Sequence, residues 1–184
     1  MLRPTASFCL VLALSLGGCA GRYKADPIAL ADQSYAVSTG DRLRVIVYGQ
    51  DSLSNSYTVD ASGHISMPLI GSVRVDGMTP DMVRGAVEAR LRNGYLRDPR
   101  VSTEVEAYRP FFILGEVTTG GQYPYVNGMT VQTAVAIAGG FGPRAAQSSA
   151  IVTRVQNGAQ VTAEVPMNQP VRPGDTIRIR ERFF

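Results

Sequence analysis

The sequence predicts an α+β protein of two small domains in series, and three observations predict it. Apolar residues alternate with a period of two through several short segments, as in Leu43, Val45 and Val47, and turn residues separate those segments. Two segments, one in each half of the chain, switch to helical spacing: Thr79 to Gly94 and Thr130 to Ala138. A six-residue pattern also occurs twice, as Gly40-Asp41-Arg42-Leu43-Arg44-Val45 and as Gly174-Asp175-Thr176-Ile177-Arg178-Ile179. Each copy is a glycine-aspartate turn feeding a strand, so two related small sheets are expected to pack one after the other.

The first element is not part of either domain. Arg3 supplies a positive start, Phe8 to Leu16 is apolar apart from Ser15, and Leu16-Gly17-Gly18-Cys19 closes the run with small residues. That is a secretory signal, too short to anchor as a helix spanning the bilayer. Its end resembles the lipobox of bacterial lipoproteins, which implies cleavage after residue 18, acylation of Cys19 and a membrane anchor on the periplasmic side. Residue 20 is Ala rather than the Asp that retains such proteins at the inner membrane, so the resemblance implies the outer membrane. Residues 19–34 are small, polar and Ala-rich, with Pro27, and read as a tether.

Order is expected from Tyr35. The first domain, 35–108, opens with the Gly40-Asp41 turn and the strand through Val47. A turn at Asp60 to Gly63 precedes two short strands, His64 to Met67 and Gly71 to Val75. Thr79 then caps a helix, Pro80 suits its first position, and Asp81 favours the positive end of its dipole. Val83, Ala86, Val87 and Leu91 share one face, Glu88 and Arg92 stand one turn apart for pairing, and Gly94 stops the helix. Val101, Thr103, Val105 and Ala107 alternate as the closing strand.

Arg109-Pro110 marks the seam, and the second domain is 109–184. Phe111 to Gly115 is a strongly apolar strand, Gly120-Gly121 turns the chain, and Gln122 to Val126 returns. Thr130 caps a short helix that Gly139-Gly140 ends; apolar on most sides, it should lie against a sheet. Asn157-Gly158 joins Ile151 to Val155 with Val161 to Val165 as a hairpin. Pro173-Gly174-Asp175 launches the last strand, Ile177 to Arg180.

Composition excludes several kinds of chemistry. The cysteines are Cys9, which leaves with the signal, and Cys19, so the mature chain has neither a disulfide nor a thiolate metal site. The formal charge is +3, but a periplasmic chain meets no nucleic acid. Its scattered basic residues are expected to face lipid phosphates, an anionic glycan, a neighbouring subunit or solvent. His64 stands near Asp60 and Ser62, yet residues two apart in a tight turn are not expected to orient one another as a nucleophilic triad requires. Asp41, Glu116 and Asp175 read as turn and surface carboxylates rather than a glycosidase pair. No metal-ligand spacing and no phosphate-cradling loop is present. Arg178, Arg180 and Arg182 fall two apart, which places them on one face of the last strand while Ile177 and Ile179 face the core. That basic row is either protection of an edge strand or a contact with a subunit or an anionic polymer.

With these residues in view, the chain resembles the polysaccharide export lipoproteins of bacterial outer membranes. The first half is similar to their export domain in Tyr35, Gly40-Asp41, Leu43, Gly63-His64-Ile65, Pro68-Leu69-Ile70-Gly71, Val73 and Gly77-Met78-Thr79. The second is similar to their soluble-ligand-binding β-grasp domain in Gly115-Glu116-Val117, Gly121-Gln122-Tyr123, Thr130-Val131, Ala138-Gly139-Gly140, Pro173-Gly174-Asp175, Ile177 and Glu181-Arg182. Gly120 departs from a common proline. Well-known members continue into an amphipathic helix that rings the outer membrane, and here a short form without it is expected.

The resemblance implies an export-type α/β sandwich followed by a β-grasp-like domain, without enzymatic activity or cofactor beyond the lipid on Cys19. It implies a homo-oligomeric ring that conducts a capsular polysaccharide or exopolysaccharide. The partners implied are an inner-membrane polysaccharide copolymerase and a separate outer-membrane β-barrel. The alternative is a lipid-anchored glycan-binding module without a channel role. The residues assigned are Cys19 for lipidation, Gly40, Asp41, Gly174 and Asp175 as structural turns, and Arg178, Arg180 and Arg182 as the contact row.

Overall fold

The structure, a computed structural model, describes residues 35–156 and 158–182. The signal, Cys19, the tether and the asparagine of the Asn157-Gly158 turn lie outside the described residues. The rest is α+β, with two separate hydrophobic cores in series, one between Val37 and Val101 and one between Phe111 and Ile179.

In the first domain β1 (Arg42–Val47) lies between β2 (Asn55–Thr58) and β5 (Val101–Ala107), antiparallel to both. The hairpin of β3 (His64–Met67) and β4 (Gly71–Arg74) stands apart from that sheet, and α1 (Pro80–Arg92) closes the core. Helix α1 forms where expected because Thr79 Oγ1 accepts the Met82 N–H at 3.3 Å and Pro80 has no N–H to satisfy. Val83, Val87 and Leu91 are fully buried, and burial of each contributes about 1.5–3 kcal/mol. Glu88 pairs with Arg84 at 3.7 Å and accepts the Val101 N–H, not with Arg92 as the spacing had allowed. It is drawn inward because the start of β5 needs an acceptor.

The second domain is a five-stranded sheet in the order β7 (Gly121–Tyr123), β6 (Phe111–Gly115), β10 (Thr176–Ile179), β8 (Ser149–Gln156), β9 (Ala159–Pro166). The first and last strands, β6 and β10, run parallel at its centre. Helix α2 (Val131–Ile137) covers one face and buries Val131, Ala134 and Val135 against Phe111, Ile113, Val152 and Ile177. Its cap is reciprocal: Thr130 and Thr133 each accept from the other's backbone N–H. Strand β7 stops at Tyr123, short of the expected Val126, because Pro124 cannot donate to a ladder.

One expectation is overturned by this topology. Strand β10 is not an edge: β6 hydrogen-bonds one side of it and β8 the other. Edge protection therefore cannot explain Arg178, Arg180 and Arg182. The strand also ends at Ile179, so only Arg178 projects from it.

Candidate functional site

The repeated glycine-aspartate pattern folds into the same turn twice. Gly40 and Gly174 have φ of +90° and +84°, a region that L side chains resist. In each turn the aspartate N–H donates to the carbonyl three residues back, Ser38 or Arg172, at 3.1 Å. In each the aspartate carboxylate then accepts the N–H of that same residue, at 2.8 Å in the first turn and 2.7 Å in the second. Both carboxylates are fully buried, and each takes an arginine.

The arginines come from different places. Asp175 receives Arg154 of β8 through two parallel bonds, Nε to Oδ1 at 2.8 Å and Nη2 to Oδ2 at 2.7 Å. This fork is the strong geometry for guanidinium and carboxylate, and it is closed to solvent. Arg172 beside it has its pKa lowered by burial and by the neighbouring Arg154 charge. Asp41 receives Arg109, the seam residue: backbone N–H to Oδ1 at 2.8 Å and Nη1 to Oδ2 at 3.2 Å. Tyr35 donates its hydroxyl to the same Oδ2 and accepts from Arg109 Nη1 at 3.0 Å. Burial, and then the bond to Asp41, push the Tyr35 phenol well above its ordinary pKa.

Arg109 also touches the second turn. The Gly174 N–H donates to the Pro110 carbonyl at 3.0 Å, and a Cβ on Gly174 would stand 2.8 Å from Arg109 Nε. The two turns thus meet at one arginine. Tyr108 continues the joint edge-on to Tyr35 at 4.8 Å and to Tyr125 at 5.3 Å, so three tyrosines step from one domain to the other. This arrangement holds two domains in one orientation. Each of the two carboxylates accepts from several donors at once.

Other sequence-singled residues are placed as follows. Arg178 is exposed, in register with Leu114 of β6 and Ile151 of β8. Arg180 is held by Glu164 and bonds Ser149 Oγ at 3.3 Å. The Arg182 N–H donates to Arg144 at 2.7 Å, and Arg180 and Arg182 line a groove of about 260 Å³ with Ala146 and Glu181. Glu116 faces Arg144 at 3.7 Å. Asp60, Ser62 and His64 contact one another within their turn: Ser62 Oγ lies 2.7 Å from Asp60 Oδ1 and 3.0 Å from His64 Nδ1. The order differs from a nucleophilic triad, because serine sits between the other two and histidine does not bridge to the carboxylate. The Ser62 hydroxyl bond, with the His64 N–H, keeps Asp60 below the usual carboxylate pKa. Among the described residues no group of three or more His, Cys, Asp or Glu side chains could hold a metal ion.

Tyr108 and Tyr125, which carry the joint, and Arg154, which holds the second turn, were not singled out from sequence. Arg154 had a signal: it shares its parity with Ala150 and Val152, on the inward face of an apolar strand. A charged residue there requires a buried partner.

Two small α+β domains in series, joined at Arg109, define a two-module class of protein. Comparison with known proteins gives the particular family. Residues 29–106 match the family described as polysaccharide biosynthesis/export protein, and residues 110–163 match the SLBB domain. The chain belongs to the polysaccharide export family. It is 35% identical over 126 residues to the exopolysaccharide production protein ExoF of Rhizobium meliloti, covering 62% of this chain and 30% of that protein. It is 28% identical to the EPS I polysaccharide export outer membrane protein EpsA of Ralstonia nicotianae, over 85% of this chain and 50% of EpsA. It is 25% identical to the polysialic acid transport protein KpsD of Escherichia coli, over 71% of this chain and 24% of KpsD. The chain thus spans half or less of the length of these curated relatives.

Proposed function

We propose that this chain is a non-enzymatic component of a capsular polysaccharide or exopolysaccharide export channel, lipid-anchored through Cys19 at the periplasmic face of the outer membrane. It acts as a ring of identical subunits that conducts the polymer. The observation that carries this reading is the pair of export-family domains in series on one chain, matching proteins named for polysaccharide export. A closed ring needs every subunit to present the same two surfaces at the same angle, and the Asp41–Arg109–Gly174 joint supplies that fixed angle. In this reading Gly40, Asp41, Gly174 and Asp175 shape the joint, and Arg178, Arg180 and Arg182 contact a neighbour or the polymer. An inner-membrane copolymerase delivers the polymer, and a separate outer-membrane barrel completes its passage. No helix among the described residues is long and apolar enough to cross a membrane.

Native mass spectrometry of the acylated protein in detergent tests the ring. A single closed oligomer is expected. An obligate monomer that binds glycan would instead establish the alternative, an anchored binding module. Cys19→Ser in the producing cell tests the anchor: acylation and fractionation with the outer membrane should both be lost, and a variant that still labels with palmitate removes the assignment.

A further inference from the structure

The end of the first domain opposite the joint differs from it in kind. Strand β1 leaves the joint at Asp41 and runs about 20 Å, by the usual rise of about 3.3 Å per residue, to Tyr48. There the Tyr48 N–H donates to the Arg100 carbonyl at 2.9 Å, just before β5 begins. The loop from α1 to β5 passes the same end, and Arg92, Gly94, Tyr95, Leu96 and Arg97 line a groove of about 320 Å³ in it.

Three features of that groove point one way. Tyr95 is 51% exposed and Tyr48 64% exposed, whereas the other tyrosines of the described residues are buried or half-buried. Among the described residues neither Arg92 nor Arg97 has a hydrogen-bond or ion-pair partner for its guanidinium, and the loop's one carboxylate, Asp98, faces Arg100 at 3.7 Å. The helix end does not use these guanidiniums either. The carbonyls of Arg90, Leu91 and Arg92 accept from Asn93, Leu96 and Gly94 N–H groups at 3.3, 2.8 and 3.0 Å.

From this we infer that the groove between Arg92 and Arg97 is a binding site for an acidic sugar residue of a polymer. The inference rests on the export reading for its class of ligand. The Tyr95 ring offers a flat apolar face to the C–H face of a pyranose, and the guanidiniums of Arg92 and Arg97, which line the same groove, can take a carboxylate through paired N–H donors. A lipid surface fits less well, because the arginines wall a concavity and Leu96 is half-buried rather than projecting. Such a site holds one residue weakly, and a polymer moving past it is oriented without being trapped.

The test uses the full acylated protein in detergent, titrated calorimetrically with oligogalacturonate, with its methyl-esterified form, and with glycerophosphoglycerol, the soluble headgroup of phosphatidylglycerol. Oligogalacturonate should bind with a dissociation constant of about 1 mM at low salt, and esterification should abolish the signal. Arg92→Gln with Arg97→Gln, and separately Tyr95→Ala, should each weaken binding about tenfold, while Tyr95→Phe retains it. Absence of wild-type binding, or equal binding by these variants, overturns the site. Headgroup binding that the variants lose while sugar binding persists also overturns it, in favour of a lipid contact. The ring state of the double variant, read by native mass spectrometry, is expected to be unchanged, so failure of the site is distinguishable from failure of the export reading.

Discussion

The two glycine-aspartate turns share their backbone hydrogen bonds but differ in what surrounds the carboxylate. Around Asp175 everything is internal to the second domain: Arg154 has a side chain 5% exposed, and its fork is closed. Around Asp41 the arginine has a side chain 28% exposed, belongs to the linker and shares its charge with a tyrosine hydroxyl. The same six-residue pattern therefore serves two ends. The second turn fixes a strand into its sheet, and the first fixes one domain against the next. Local sequence sets the turn, and the long-range arginine decides what the turn is for.

The strongest way to break this comparison is to remove each arginine in turn. Arg154→Ala leaves Asp175 buried and, among the described residues, with the Arg172 N–H as its remaining donor, and loss of one partner of a buried pair costs about 3–5 kcal/mol. Arg109→Ala keeps the backbone N–H donors of residues 38 and 109 and the Tyr35 hydroxyl on Asp41, so about 1–2 kcal/mol is expected. Urea unfolding of both variants measures the difference, and equal losses would contradict the distinction drawn between the turns.

How far this was legible in sequence follows from the same residues. Both turns, both helices and most strands were readable, because alternation, caps and glycine positions are local signals. Strand β2 was not, since Asn55-Ser56-Tyr57-Thr58 has a single buried side chain and no apolar alternation. The arginine partners stand 68 and 21 residues from their aspartates, and only the inward parity of Arg154 hinted at one of them. The groove at Tyr95 was hidden for a related reason. Its charges look scattered along the chain, and the fold brings Arg92 and Arg97 to the groove that Tyr95 lines.

Alkaline pH sharpens the comparison, because only the first turn's aspartate bonds a tyrosine hydroxyl. The Tyr35 pKa is raised in the folded state by burial and by its bond to Asp41; Tyr57 and Tyr125 are also raised by burial. The folded chain then holds these protons more tightly than the unfolded chain. Their stabilisation is complete below the ordinary tyrosine pKa of about 10 and is lost as pH rises above it. Tyr35→Phe should reduce the slope of stability against pH in that range while lowering stability at neutral pH. An unchanged slope in chemical denaturation at about pH 9 to 11 would mean that the first turn carries no special alkaline sensitivity.

The smallest effect is expected on the surface, which gives the baseline for both buried pairs. Arg180 and Glu164 are both substantially exposed, and Arg178 stands on the open face of a central strand. Exposed pairs of this kind are worth about 0–1 kcal/mol. Reversal of Arg178 and Arg180 by Arg178→Glu and Arg180→Glu brings a like charge to Glu164, so a melting shift no larger than such a pair is expected. Because β10 lies inside its sheet, the row has no edge to protect; the proposed contacts, with a neighbouring subunit or with the polymer, then stand against plain solvation. A double variant that folds and reaches its membrane normally but exports poorly would support contact. Native mass spectrometry then separates the two uses, since a subunit contact is needed for the ring and a polymer contact is not. Normal export with a normal ring would leave Arg178 and Arg180 as solvated charges and return all of the functional weight to the joint.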